Sequence, residues 1–130
     1  EKYQFFKSLA EINTTFGDNQ EFITQVKQEI FTDKIYVYTI KGDIIELPKG
    51  STLIDFAYRI HTDIGNFMIG AIVNDDKVSI YDELHNKDRV RIITSEYNLG
   101  PGRDWLENPK TTHAKIRIRE FNKNYGRLNE

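Results

Sequence analysis

The sequence has no cysteine, one methionine (Met68) and three prolines in 130 residues. Without thiols there is no disulfide framework, no thiolate zinc site and no cysteine nucleophile. No apolar run approaches the roughly 18 residues that a membrane-spanning helix needs, and the start lacks the charged-then-apolar pattern of a signal peptide. A reducing, cytoplasmic setting fits these absences. The chain opens at Glu1 with no initiator methionine, so we expect a piece of a longer protein. Its 29% charged residues are nearly balanced, 18 basic against 20 acidic. With an ordinary apolar content, this is the composition of a folded domain.

The net charge of −2 conceals a gradient. Residues 103–127 carry seven basic side chains against three acidic ones, a local +4. Such a stretch suits phosphate or an acidic partner, or is simply a solvated helix face.

Two amphipathic segments lead in. Phe5, Phe6, Leu9 and Ile12 recur at helical spacing, and after a break Asp18 and Glu21 suggest a capping box before Phe22, Val26 and Ile30. The period then changes. Lys34–Ile40 is β-branched and aromatic, Lys41-Gly42 is turn chemistry, and Asp43–Leu47 reads as the returning strand. Thr52 with Asp55 forms a second capping box. Leu53, Ala57, Ile60 and Ile64 make one helical stripe, with Gly65 placed for a left-handed C-cap. Ile69–Asn74 is a short strand, Asn74–Lys77 a turn, and Val78–Ile80 the expected return. Leu84 falls in a polar loop, and Arg89–Thr94 is the last strand. Gly100-Pro101-Gly102 reads as a hinge. Hairpin, helix, short strands and final strand within 33–94 predict an α+β, β-grasp (ubiquitin-like) domain. A helical connector (1–32) precedes it, and a basic linker with a helix (95–130) follows.

No catalytic constellation is legible. His61, His85 and His113 lack metal-ligand spacing, and His61 and Asp63, two apart on one helix, should point away from each other. The glycines are scattered rather than gathered into a phosphate loop. We therefore expect no catalytic residues, metal or cofactor in this segment. The candidate contact residues are Tyr58, Arg59, His61 and Phe67 around one helix end, and Arg103, Trp105, Arg117 and Arg119 in the basic stretch. Plainer readings stand beside these: Phe67 as a hydrophobic contact closing the helix end, Trp105 as packing of the tail, His61 as a half-buried helix-boundary residue, the arginines as solvated charge.

The run DKIYVYTIKGDIIELPKGSTLIDFAYRIHTDIG (33–65), then GAIVN (70–74) and the LxxxDRVRIIT pattern (84–94), resembles the TGS domain. That module occurs in threonyl-tRNA synthetases, in certain GTPases and in RelA/SpoT-type (p)ppGpp synthetase/hydrolases. Gly102-Arg103-Asp104-Trp105-Leu106 and the 110–119 segment are similar to the last group. Asn66-Phe67-Met68, Arg59 and Gly102 depart from its usual residues, whereas His61 matches. The resemblance implies a regulatory role in the stringent response: sensing the 3′ CCA end of uncharged tRNA on the ribosome. Alternatively it implies binding acyl carrier protein, through the basic tail or Arg59, Arg89 and Arg91, or docking on the parent's own catalytic domains. It also implies that Lys115–Phe121, which alternates like a strand, is helical, capped by Thr111 or Thr112. Contact through the tail (Arg117, Arg119) and contact through the helix end (His61) would then be separable by substitution.

Overall fold

A computed structural model describes residues 20–125, in two compact units that divide between Phe31 and Thr32. The expected helix over 2–12 and the Asp18 cap lie outside the described residues. In the first unit, Gln20–Phe31 is helix α1.

The second unit holds five strands: β1 (Lys34–Thr39), β2 (Ile44–Pro48), β3 (Met68–Val73), β4 (Asp76–Val78) and β5 (Arg89–Thr94). Their order is β2-β1-β5-β3-β4, with β1 and β5 parallel and every other pair antiparallel. Helix α2 (Leu53–Ile60), one-turn helix α3 (Thr62–Asn66), a 3-10 turn (Arg103–Glu107) and helix α4 (Thr112–Tyr125) complete it. The last strand lies beside the first, as a β-grasp requires.

The strands follow their side chains. In β1, Ile35 and Val37 point inward while Tyr36 and Tyr38 stay exposed, the period-two alternation of a half-buried strand. The β1–β2 turn uses Gly42 at φ +92°, and Asp43 N–H donates to Thr39 Oγ1 (3.1 Å). The second hairpin is tighter than expected. Asn74 (φ 52°) and Asp75 (φ 73°) form a two-residue loop, so β4 begins at Asp76 rather than Val78. Asn tolerates that left-handed backbone, and the primed turn matches the strand twist.

Helix α2 is buried on more than one side. Leu53 and Phe56 join Ile35, Val37, Leu47, Ala71, Leu84 and Val90 in a core against the sheet. Ile54, Ala57 and Tyr58 join Met68, Trp105, Ala114 and Ile118 in a second core against α4. The expected single stripe is thus split: Leu53 serves the first core and Ala57 the second. Leu84, expected in a polar loop, is 1% exposed. Its N–H donates to Ser51 O (2.8 Å), which seats the loop under the core.

Residues 95–125 pack on this body, so the compact unit continues past residue 94. The segment 115–121 is helical, as the resemblance implied. Thr111 caps α4, its Oγ1 accepting Ala114 N–H (3.2 Å). Gly100-Pro101-Gly102 is not a hinge. Pro101 is fully buried, and a Cβ at Gly100 (φ +107°) would lie 2.2 Å from the Phe121 ring.

Asp55 ties these layers together. Its Oδ2 accepts the N–H of Thr52 (2.9 Å), completing the expected capping box, and that of Lys110 (2.8 Å). Its Oδ1 accepts the N–H (2.9 Å) and hydroxyl (2.7 Å) of Thr111. Burial pushes this carboxyl above its ordinary range, and the same donors pull the other way.

Candidate functional site

The exposed end of α2 is built by one backbone break. His61 is extended (φ −167°, ψ 146°), so α2 stops at Ile60 and α3 starts afresh at Thr62. His61 closes one helix and opens the next. Its N–H donates to Ala57 O (3.2 Å), and its Nδ1 accepts Asp63 N–H (3.0 Å). With Nδ1 engaged as an acceptor, the neutral ring carries its proton on Nε2. The side chain is 64% exposed. The half-buried boundary position expected for it assumed an unbroken helix. The break also brings the Asp63 carboxylate to 3.8 Å from Nδ1, where an unbroken helix would have kept the pair apart.

Tyr58 is not part of the exposed surface. It is 1% exposed, and its hydroxyl donates to Asn66 Oδ1 (2.7 Å). Burial pushes its phenol well above the ordinary value of 10. Gly65 lies against its ring, where a Cβ would stand 2.4 Å away. That close approach is the reason for glycine there, and the expected left-handed C-cap is absent: Gly65 lies within α3 and has no positive φ. Phe67 caps α3 and is half-buried. Its N–H donates to Asp63 O (3.0 Å), and its carbonyl accepts Ser95 N–H (3.0 Å). Asn98 Nδ2 donates to Met68 O (3.2 Å), fixing the following turn to the same place.

Of the basic-stretch candidates, Trp105 is buried at 7% exposure in the second core, which is packing rather than contact. Arg103 opens the 3-10 turn. Arg119 is exposed. Arg117 donates through Nη1 to both carboxylate oxygens of Glu120 (3.1 and 3.3 Å), and its Nε is buried without a hydrogen-bond partner among the described residues. On the sheet, Arg89 is committed to Asp75, its Nη2 donating to both oxygens at 3.1 Å, while Arg91 is exposed.

The residue that sequence reasoning missed is His113. Its Nε2 lies 3.3 Å from Tyr58 O on α2, one residue before exposed Arg59. Burial, then the cations of Arg117 and Arg59, hold His113 below its ordinary 6.5; the Tyr58 carbonyl and Glu120 oppose them. Arg59 and Arg117 therefore act on one imidazole. Through His113 the basic stretch reaches the backbone of α2 next to Arg59. The available signal was the four-residue spacing of His113 and Arg117 on one helix.

Among the described residues, no three His, Asp or Glu side chains are grouped to hold a metal ion, and no helix is long and apolar enough to cross a membrane.

The profile of the TGS domain matches residues 35–94. Residues 35–94 are a TGS domain. It is of the RelA/SpoT type, because the likeness to those enzymes runs through the flanks as well. The chain is 42% identical over 121 residues to the GTP pyrophosphokinase of Myxococcus xanthus, covering 93% of the chain and 16% of that protein. It is 39% identical over 124 residues to the bifunctional (p)ppGpp synthase/hydrolase SpoT of Escherichia coli K12 (95% and 18%). It is 37% identical over 118 residues to the bifunctional (p)ppGpp synthase/hydrolase RelA of Mycobacterium tuberculosis (90% and 16%). The TGS domain and its flanks thus span about a sixth of these relatives' length.

Proposed function

We propose that this chain is the regulatory portion of a bacterial, cytoplasmic (p)ppGpp synthetase/hydrolase in the stringent response. The parent protein performs the chemistry. This segment, which holds no catalytic residue or cofactor of its own, senses the 3′ CCA end of uncharged tRNA on the ribosome and relays that state to the catalytic domains. The observation that carries the reading is the His61 ring at the exposed end of α2. Its cap bond fixes the ring, leaving Nε2–H to donate to an RNA oxygen. Arg59 beside it offers a charged plane on which a base can stack, the usual means of holding a single-stranded RNA end.

Phosphate contacts dominate RNA affinity, and this chain carries −2 overall. Binding by the chain alone is therefore weak, with the remaining affinity supplied by the parent protein and the ribosome. Fluorescence anisotropy of 5′-labelled tRNA tests this at low salt. Uncharged tRNA should bind saturably, and both removal of CCA and His61→Ala should weaken it. Acyl carrier protein is the second titrant. Binding to it with none to tRNA would replace the RNA reading by a protein-interaction one. Silence from both would leave docking on the parent's catalytic domains.

A further inference from the structure

A guanidinium presents donors along more than one edge. Arg117 spends Nη1 on Glu120 and leaves its buried Nε–H without a partner among the described residues. Buried donors are rarely left so, and each instance asks for an explanation. The side chain as a whole is 39% exposed. Turned outward, its Nε–Nη2 edge would be the one that grips a phosphate or carboxylate through two parallel bonds. One turn earlier, His113 is held against Tyr58 O at 3.3 Å, and Arg59 follows Tyr58 in α2. Arg59 is exposed and makes no ion pair among the described residues. The three residues thus stem from neighbouring parts of two helices: His113 touches the Tyr58 backbone, Arg59 is the next residue of α2, and Arg117, paired with Glu120, lies one turn on from His113.

We infer that Arg59, His113 and Arg117 form a phosphate-binding site across the α2–α4 seam. Its ligand is a phosphoryl group, supplied either by the RNA backbone or by a free pyrophosphate-bearing nucleotide. The RNA source rests on the function proposed above; the site does not. Arg117 takes two phosphoryl oxygens through its Nε–Nη2 edge, and Arg59 supplies the second cation. His113 contacts the Tyr58 carbonyl, with Arg117 and Arg59 opposing its protonation and Glu120 favouring it. A bound dianion shifts that balance toward the protonated ring, so binding tightens as pH falls. Glu120 competes for Arg117, so its neutralisation favours the ligand.

The test is an NMR titration of the whole chain, labelled with nitrogen-15, following the Arg117 Nε–H and the His61 and His113 rings. The probes are inorganic pyrophosphate and the trinucleotide CCA, with adenosine as a phosphate-free control. Pyrophosphate should shift Arg117 and His113, and adenosine should not. Arg117→Gln should weaken binding about tenfold or more, the loss of a charge-assisted pair. Arg117→Lys, which keeps the charge without the edge, should fall between it and the native chain, and Glu120→Gln should tighten binding. If pyrophosphate shifts both groups and CCA shifts neither, the site stands and the RNA reading falls. If CCA shifts His61 while Arg117 and His113 stay silent to both probes, the RNA reading stands and the site is overturned. Unchanged affinity in Arg117→Gln overturns it as well.

Discussion

Asp55 and Thr111, 56 residues apart in sequence, are joined by two hydrogen bonds, the Thr111 N–H and hydroxyl both donating to Asp55 Oδ1 at 2.9 and 2.7 Å. The same carboxylate caps α2 and receives Lys110 N–H. One side chain therefore starts one helix and fastens the approach to another.

Asp55→Asn replaces one acceptor oxygen by an NH2 that faces N–H donors. It should destabilise the chain by about 2–4 kcal/mol, the cost of leaving buried donors unpaired. Urea unfolding followed by buried Trp105 fluorescence would show it as a lower midpoint; an unchanged midpoint would refute the tethering role.

Gly65→Ala places a methyl 2.4 Å from the Tyr58 ring. The ring is enclosed, so it cannot swing aside cheaply. A loss of about 1–3 kcal/mol follows from overpacking, read as a lowered Tm by calorimetry. The paired variant Gly65→Ala with Tyr58→Leu should lose less than the two single changes summed.

His113 sets a pH dependence. Its folded-state value lies below the ordinary 6.5, so the unfolded chain takes up the proton first as pH falls. Its stabilising contribution is complete above about pH 6.5 and is lost as pH drops through the folded-state value. His113→Gln, which retains a donor for Tyr58 O, should flatten this part of the stability curve between pH 7 and pH 5. An equal slope in the two proteins would remove His113 from the account.

Leu84→Ala should cost about 2–5 kcal/mol, as for any large-to-small change in a closed core. A surface-loop leucine would cost well under 1 kcal/mol, so chemical denaturation separates the two placements cleanly.

Leu84 also illustrates what the sequence conceals. Local pattern reveals strands and helices through period, and here Lys34–Thr39, Leu53–Ile60 and Arg89–Thr94 were legible. A lone leucine between polar residues has no period. Only the isolated bridge of Thr52 with Glu83 and the Ser51 carbonyl bring it inside. The capping box at Thr52 and Asp55 was legible for the same local reason, whereas Asp55's bonds to Lys110 and Thr111 were not. At the candidate site, the exposure of Arg59 could be read from a helical wheel. The break at His61 could not: it goes with the side chain accepting Asp63 N–H, which helical periodicity does not encode. The meeting of His113 with Tyr58 O is a product of tertiary packing between α2 and α4.

The parallel pairing of β1 with β5 has a mechanical consequence. The chain enters β1 at one end of the sheet and leaves β5 at the other. Tension applied between residues 33 and 95 therefore pulls these two central strands past each other lengthwise. Their bonds are loaded in shear, together, rather than peeled one at a time. A domain strung this way within a longer polypeptide carries a pull from one side to the other through the short β1–β5 overlap of Tyr38 and Thr39 with Arg89 and Val90.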